Sequence, residues 1–138
     1  MRLKKQVSRW FEVPNDPDRS QLLIKHLEPG EIADILDSVL RQRVTYRQVE
    51  GQEKLQPDFE QTTNTKADRE KTIQAAVRDW KNLFDEDGKP LEFNSENLLT
   101  ASRRITGFNE LVKTFRAQLA ADIAREEEEE KKDLEKNS

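Results

Sequence analysis

One stretch near the C-terminus constrains this chain more than any other. Phe108, Leu111, Val112, Phe115, Leu119 and Ile123 recur at spacings of three and four, which places them on a single face of an α-helix starting near Gly107. Such a face has to lie against apolar material, either the chain's own core or a partner. Phe108, Leu111, Val112, Phe115 and Leu119 are accordingly candidates both for core and for partner binding. The pattern stops at Glu126. The segment "EEEEEKKDLEKNS" that follows has Leu134 as its only apolar residue. Glu127–Lys131 and Glu128–Lys132 have the i,i+4 spacing of helix-supporting pairs, but the run of glutamates repels itself. Residues 126–138 are therefore expected to form an acidic tail, frayed or disordered.

The first half predicts a β-hairpin. "SRWFEV" (8–13) and "QLLIKHL" (21–27) are rich in aromatic, branched and apolar residues, and "PNDPDRS" between them is dense in turn formers. Next, "EPGEIADILDSVLRQRV" predicts a helix. Pro29 suits its first turn, acids lead and arginines follow, and Ile32, Ile35, Leu36, Val39 and Leu40 make one stripe. "VTYRQVE" (44–50) alternates enough for a short strand. Residues 51–66 carry only Leu55 and Phe59 as anchors and read as a mobile connection. Helical period returns over 68–84, with Ile73, Ala76, Val77, Trp80, Leu83 and Phe84 on one face. "SENLLTASRRI" predicts a further short helix with Leu98, Leu99 and Ile105 inward.

The expected fold is thus mainly α, of the α+β class: an N-terminal β-hairpin, a small bundle of about four helices, and the acidic tail. Residues 1–125 are expected to form one domain.

Charge and residue usage exclude several functions. With 33% hydrophobic and 38% charged residues the core must be small. The formal net charge of −4 gives none of the basic excess that general nucleic-acid binding requires. The absence of cysteine excludes disulfides and thiolate metal sites. No apolar run approaches a membrane span, and no apolar core follows the basic N-terminus, so neither a membrane segment nor a signal peptide is expected. His26 is the single histidine. A histidine-based triad or multi-histidine metal site is out of reach, and the ordinary reading of His26 is a half-buried or surface side chain.

The acidic stretch "DWKNLFDEDGKPLEFNSENLL" (79–99) invites a chemical reading. As a calcium loop with Gly88 at position six, it would put Leu83 at position one and Asn94 at position twelve, where carboxylates are required. Asp85, Glu86 and Asp87 share one exposed turn, so they lack the contrasting environments of an acid–base pair. A connector fits better. Asp87-Gly88 makes a tight turn, "NLF" and "LEF" pair as short arms with Pro90 at an edge, and Asn94 or Ser95 caps the next helix. The expectation is a helix, a turn and a helix, with no cofactor, no metal and no enzymatic activity.

The same stretch is similar to the tail-assembly chaperones of tailed bacteriophages and prophages. The residues that carry the resemblance are Asp79, Trp80, Asp85, Gly88, Pro90, Leu91, Phe93, Ser95, Glu96 and Asn97. The opening "VPNDP", the segment "LLIKHLEPGEIADIL" and the glutamate-rich end resemble that family as well. The resemblance covers most of the chain and is weakest over 44–70. It implies a small, mostly helical, non-catalytic protein of the host bacterial cytoplasm. Its partners would be the tape-measure protein and the tail tube protein, and a homo-oligomer is compatible with it. The alternative is an adaptor or regulatory protein that binds a partner helix through the C-terminal amphipathic helix.

Overall fold

The computed structural model describes residues 1–50 and 57–136, with the backbone alone over 41–50 and 57–65. In chain order the elements are β1 (Ser8–Glu12), β2 (Gln21–Lys25), α1 (Pro29–Glu50), α2 (Pro57–Ala76), β3 (Val77–Lys81), α3 (Ser95–Arg104) and α4 (Phe108–Lys136). The fold is α+β and mostly helical: a small antiparallel sheet with four helices. Contacts gather into two compact units. One unit combines residues 1–26, 77–91 and 110–138, and the other combines 27–76 and 92–109. Because these segments alternate along the chain, no single linker in the sequence marks the division.

The first unit is built on the sheet, with β2 in the middle. The β1–β2 hairpin forms where the sequence places it, and Trp10 lies opposite Leu23. Its turn is fixed by Asp16, whose carboxylate accepts from the Ser20 and Asp18 N–H groups. Ser20, through its side chain and then its N–H, holds the Asp16 carboxyl below the usual carboxylate range, with burial opposing and the Asp18 N–H contributing least. In the structure the one Ser20 hydroxyl proton is donated to the Asn82 carbonyl at 2.6 Å, joining the turn to the end of β3. Leu22 and Ile24 are fully buried, and Trp80 and Val77 lie on the same face as their cross-strand partners. Across from them, Phe11 stacks on Phe115 of α4 at 4.9 Å between ring centroids. On the other face the Lys81 ammonium sits 4.2 Å from the centre of the Trp10 ring.

Strand β3 corrects the sequence reading, which runs a helix through 68–84. The helix stops at Ala76 and the chain turns into a third strand. The cause of the error lies in the register. Leu23 pairs with Asp79 but Ile24 pairs with Val77, so Arg78 is an extra residue in the ladder. This bulge turns Val77 and Trp80, three residues apart, to the same buried face, and that spacing imitates a helix.

In the second unit α1 pairs with α2, and α2 touches α3. The strand expected at 44–50 is helical, and no glycine or proline interrupts the chain between Gly30 and Gly51. The mobile connection expected over 51–66 is also corrected. Residues 57–66 belong to α2, which begins with Pro57 at the helix position that tolerates it. Residues 51–56, with the Leu55 anchor, lie outside the described ones, as does the side chain of Phe59. Within α3, Leu98, Ala101 and Ser102 are buried, whereas Ile105, expected inward, is the C-cap residue and is exposed.

Helix α4 begins right after Gly107, whose φ of +80° ends the preceding turn. It continues to Lys136, where the sequence suggests fraying from Glu126. Cations offset the glutamate repulsion. Arg9 reaches Glu126 at 2.6 Å and Asp122 at 3.6 Å, Lys4 reaches Glu127 at 2.7 Å, and Lys132 lies 3.9 Å from Glu128.

Candidate interaction surface

The acidic connector is a hairpin. Leu91 N–H donates to the Leu83 carbonyl, Phe84 bridges Pro90, and Asp85 N–H donates to the Lys89 carbonyl. Asp85 Oδ1 accepts from the N–H groups of both Asp87 and Lys89 at 2.9 Å, so this carboxylate is occupied in closing the turn. Gly88 has φ +78°, a conformation in which a side chain is strained. The two arms pair as expected, but the incoming element is β3 and not a helix end.

The remaining connector residues are structural too. Asp79 accepts from the Trp80 N–H, and the buried Trp80 indole donates to the Leu91 carbonyl at 2.7 Å. Phe93 is half-buried. Asn94 is the N-cap of α3: its side chain accepts from Asn97 N–H, and the Asn97 amide donates to the Glu92 carbonyl. Ser95 opens the helix, and Glu96 adds negative charge to its first turn. His26 is half-buried, and its N–H donates to the Val7 carbonyl. Among the described residues no group of three or more His, Asp or Glu side chains is placed to hold a metal ion. Among them, too, no helix is long and apolar enough to cross a membrane.

The C-terminal stripe is core. Phe108, Val112, Phe115 and Leu119 are each 5% exposed or less, and Leu111 is half-buried. Of the two roles the sequence offers for these residues, core and partner binding, the burial is that of core.

An exposed apolar face lies elsewhere, on α1. Ile32, Ile35, Leu36, Val39 and Leu40 span an arc of roughly 140° around the helix, from 100° per residue. One edge of the arc is covered: Val39 is buried and Ile35 half-buried. The other edge is not. Ile32, Leu36 and Leu40 are 43%, 54% and 51% exposed, and at spacings of four they form a ridge along the helix. The sequence reading assigns all five to one apolar stripe. The breadth of the arc was the available signal, since one neighbouring helix cannot cover so wide a face.

Comparison with known proteins adds a family. The model of a family described as YdaY prophage protein matches residues 37–137, which includes most of α1 and everything from α2 to the end of α4. No curated protein matches the chain, and no solved structure does.

Proposed function

The chain belongs to the YdaY prophage protein family, and from that premise we propose that it is a phage tail-assembly chaperone. In this reading it is a non-catalytic binding protein of the host bacterial cytoplasm. It holds the tape-measure protein in soluble form and helps bring tail tube protein to it. The observation that carries the reading is the Ile32–Leu36–Leu40 ridge. Apolar side chains at i, i+4 and i+8 are the anchors with which one helix grips another, and a long helical client supplies the complementary face. Completing the burial of three half-exposed side chains returns roughly 1 kcal/mol each, enough for reversible holding. The resemblance of the segment 79–97 to tail-assembly chaperones supports the same reading. The glutamate-rich end of α4 supports it as well, by adding charge that keeps a complex dispersed.

Co-expression tests this. The tape-measure protein of the same prophage should move into the soluble fraction and co-purify with the wild-type chain. The Leu36→Asp variant should lose both effects while keeping its circular dichroism. Absence of a complex with the wild-type chain in a pull-down would sink the assignment.

A further inference from the structure

The sheet of the first unit has two edges, and they are finished differently. At β3 the Trp80 N–H is taken by the Asp79 carboxylate at 2.8 Å, and the bulge at Arg78 breaks the ladder. Both devices discourage a further strand from pairing there. The edge at β1 has neither. The Val13 N–H donates to the Ser20 carbonyl and the His26 N–H to the Val7 carbonyl, in register with the β1–β2 pairs. Backbone groups alternate sides along a strand. Val7, Arg9, Phe11 and Val13 therefore turn theirs to β2, and Ser8, Trp10 and Glu12 turn theirs outward. Among the described residues no strand or bridge meets that edge. Helix α4 lies on the inner face of the sheet, where Arg9 and Phe11 meet it, and Ser8, Trp10 and Glu12 are all exposed.

We propose that this edge pairs with β1 of a second copy of the chain, antiparallel about a two-fold axis at Trp10. The strand is complementary to itself in that register. Trp10 stands opposite Trp10 and Ser8 opposite Glu12, so every outward-facing residue of β1 is paired, with about six N–H···O bonds between the copies. The result is one continuous antiparallel sheet twice as wide. Such a contact is isologous and closes on itself. Charge agrees with the register. Lys25 lies opposite Ser8 within one copy, and Glu12 of the second copy lies opposite Ser8 from the other side. Acid and base then flank the small Ser8 on one face of the sheet, their backbones about 10 Å apart. Lysine and glutamate side chains span that distance and attract. This contact makes no use of the α1 ridge, so it stands whether or not the chain holds a client.

Sedimentation equilibrium of the full chain over a dilution series tests the pairing. The wild type is expected to pass from dimer to monomer on dilution. Ser8→Pro removes an outward N–H that the β1–β2 ladder does not use, at the first residue of the strand, where proline is tolerated. It should keep its circular dichroism and weaken the dimer by roughly tenfold or more, since each copy loses a bond. Glu12→Lys should weaken the dimer as well, and adding Lys25→Glu should restore it. If Ser8→Pro misfolds, this charge exchange decides alone. Leu36→Asp, on the α1 ridge, should leave the dimer unchanged. A wild-type chain that is monomeric throughout, a dimer indifferent to a folded Ser8→Pro or to Glu12→Lys, a loss that Lys25→Glu does not reverse, or a dimer broken by Leu36→Asp overturns the proposal.

Discussion

Helix α4 buries Phe115 and Leu119 to 5% and 0% exposure, whereas α1 leaves Leu36 and Leu40 more than half exposed. Both helices carry apolar residues at spacings of three and four. What separates them is the surface each one meets. The inward side of α4 meets a sheet ring, Phe11 on Phe115, and its flank is tied by Arg9 to Asp122 and Glu126. The apolar arc of α1 meets a neighbour along one edge only. Periodicity therefore identifies a face that needs covering, and only the fold decides whether the chain covers it or leaves it for another molecule.

The largest expected effect tests that contrast head-on. Leu119→Ala should cost ~3 kcal/mol by leaving a cavity in the core. Leu36→Ala, measured by the same urea titration at a concentration that keeps the chain monomeric, should stay within about 0.5 kcal/mol. Comparable losses at the two sites would erase the distinction between core and ridge. A smaller effect concerns the connector that flanks the sheet. Trp80→Phe removes the indole donor from the Leu91 carbonyl and should cost ~1–2 kcal/mol. Ligand-like chemistry at the connector would instead show as changed client binding with an unchanged melt.

Much of this contrast could not have been read from the sequence, and the residues show why. The β1–β2 hairpin was legible because its strands are short, apolar and separated by unambiguous turn residues. The connector was legible because Gly88 and Asn94 each have a local conformational reason to be where they are. Strand β3 was not, because the bulge at Arg78 gives Val77 and Trp80 a helical spacing inside a strand. The course of α1 beyond residue 43 and the start of α2 were not, because these polar stretches carry too few apolar residues for a period to be read. Which apolar stripe stays exposed was not legible for a related reason: those of α1 and α4 look alike until their neighbours are known.

Two weaker effects sharpen the account of the first unit. Truncation after Arg125 removes the ion pairs of Arg9 with Glu126 and of Lys4 with Glu127, which are largely exposed. The loss should be under about 1 kcal/mol, with a cooperative melt retained. A melt that loses cooperativity would mean that the acidic end of α4 does more than the ion pairs explain. The smallest effect is a pH dependence at the hairpin turn. The Asp16 carboxyl is held below its ordinary range by Ser20 in the folded chain, so its contribution is present above the unfolded value and is lost as pH falls through the folded one. The stability gap between wild type and Asp16→Asn should be level above about pH 5 and close as pH drops below about 4. A gap that widens in acid would contradict the bonding at this turn.

Because the chain has no cysteine, single-cysteine variants give the most direct measurement of the central contrast. Leu36→Cys and Leu119→Cys are compared by their rates of alkylation, in dilute solution and then with tape-measure protein added. In dilute solution the thiol of Leu36→Cys should react at nearly the rate of a free thiol, and that of Leu119→Cys should react only as fast as the fold opens. Added client should slow Leu36→Cys and leave Leu119→Cys unchanged. Equal protection of both thiols in dilute solution, or a Leu36→Cys rate that client does not alter, would contradict the assignment of the α1 ridge as the docking surface.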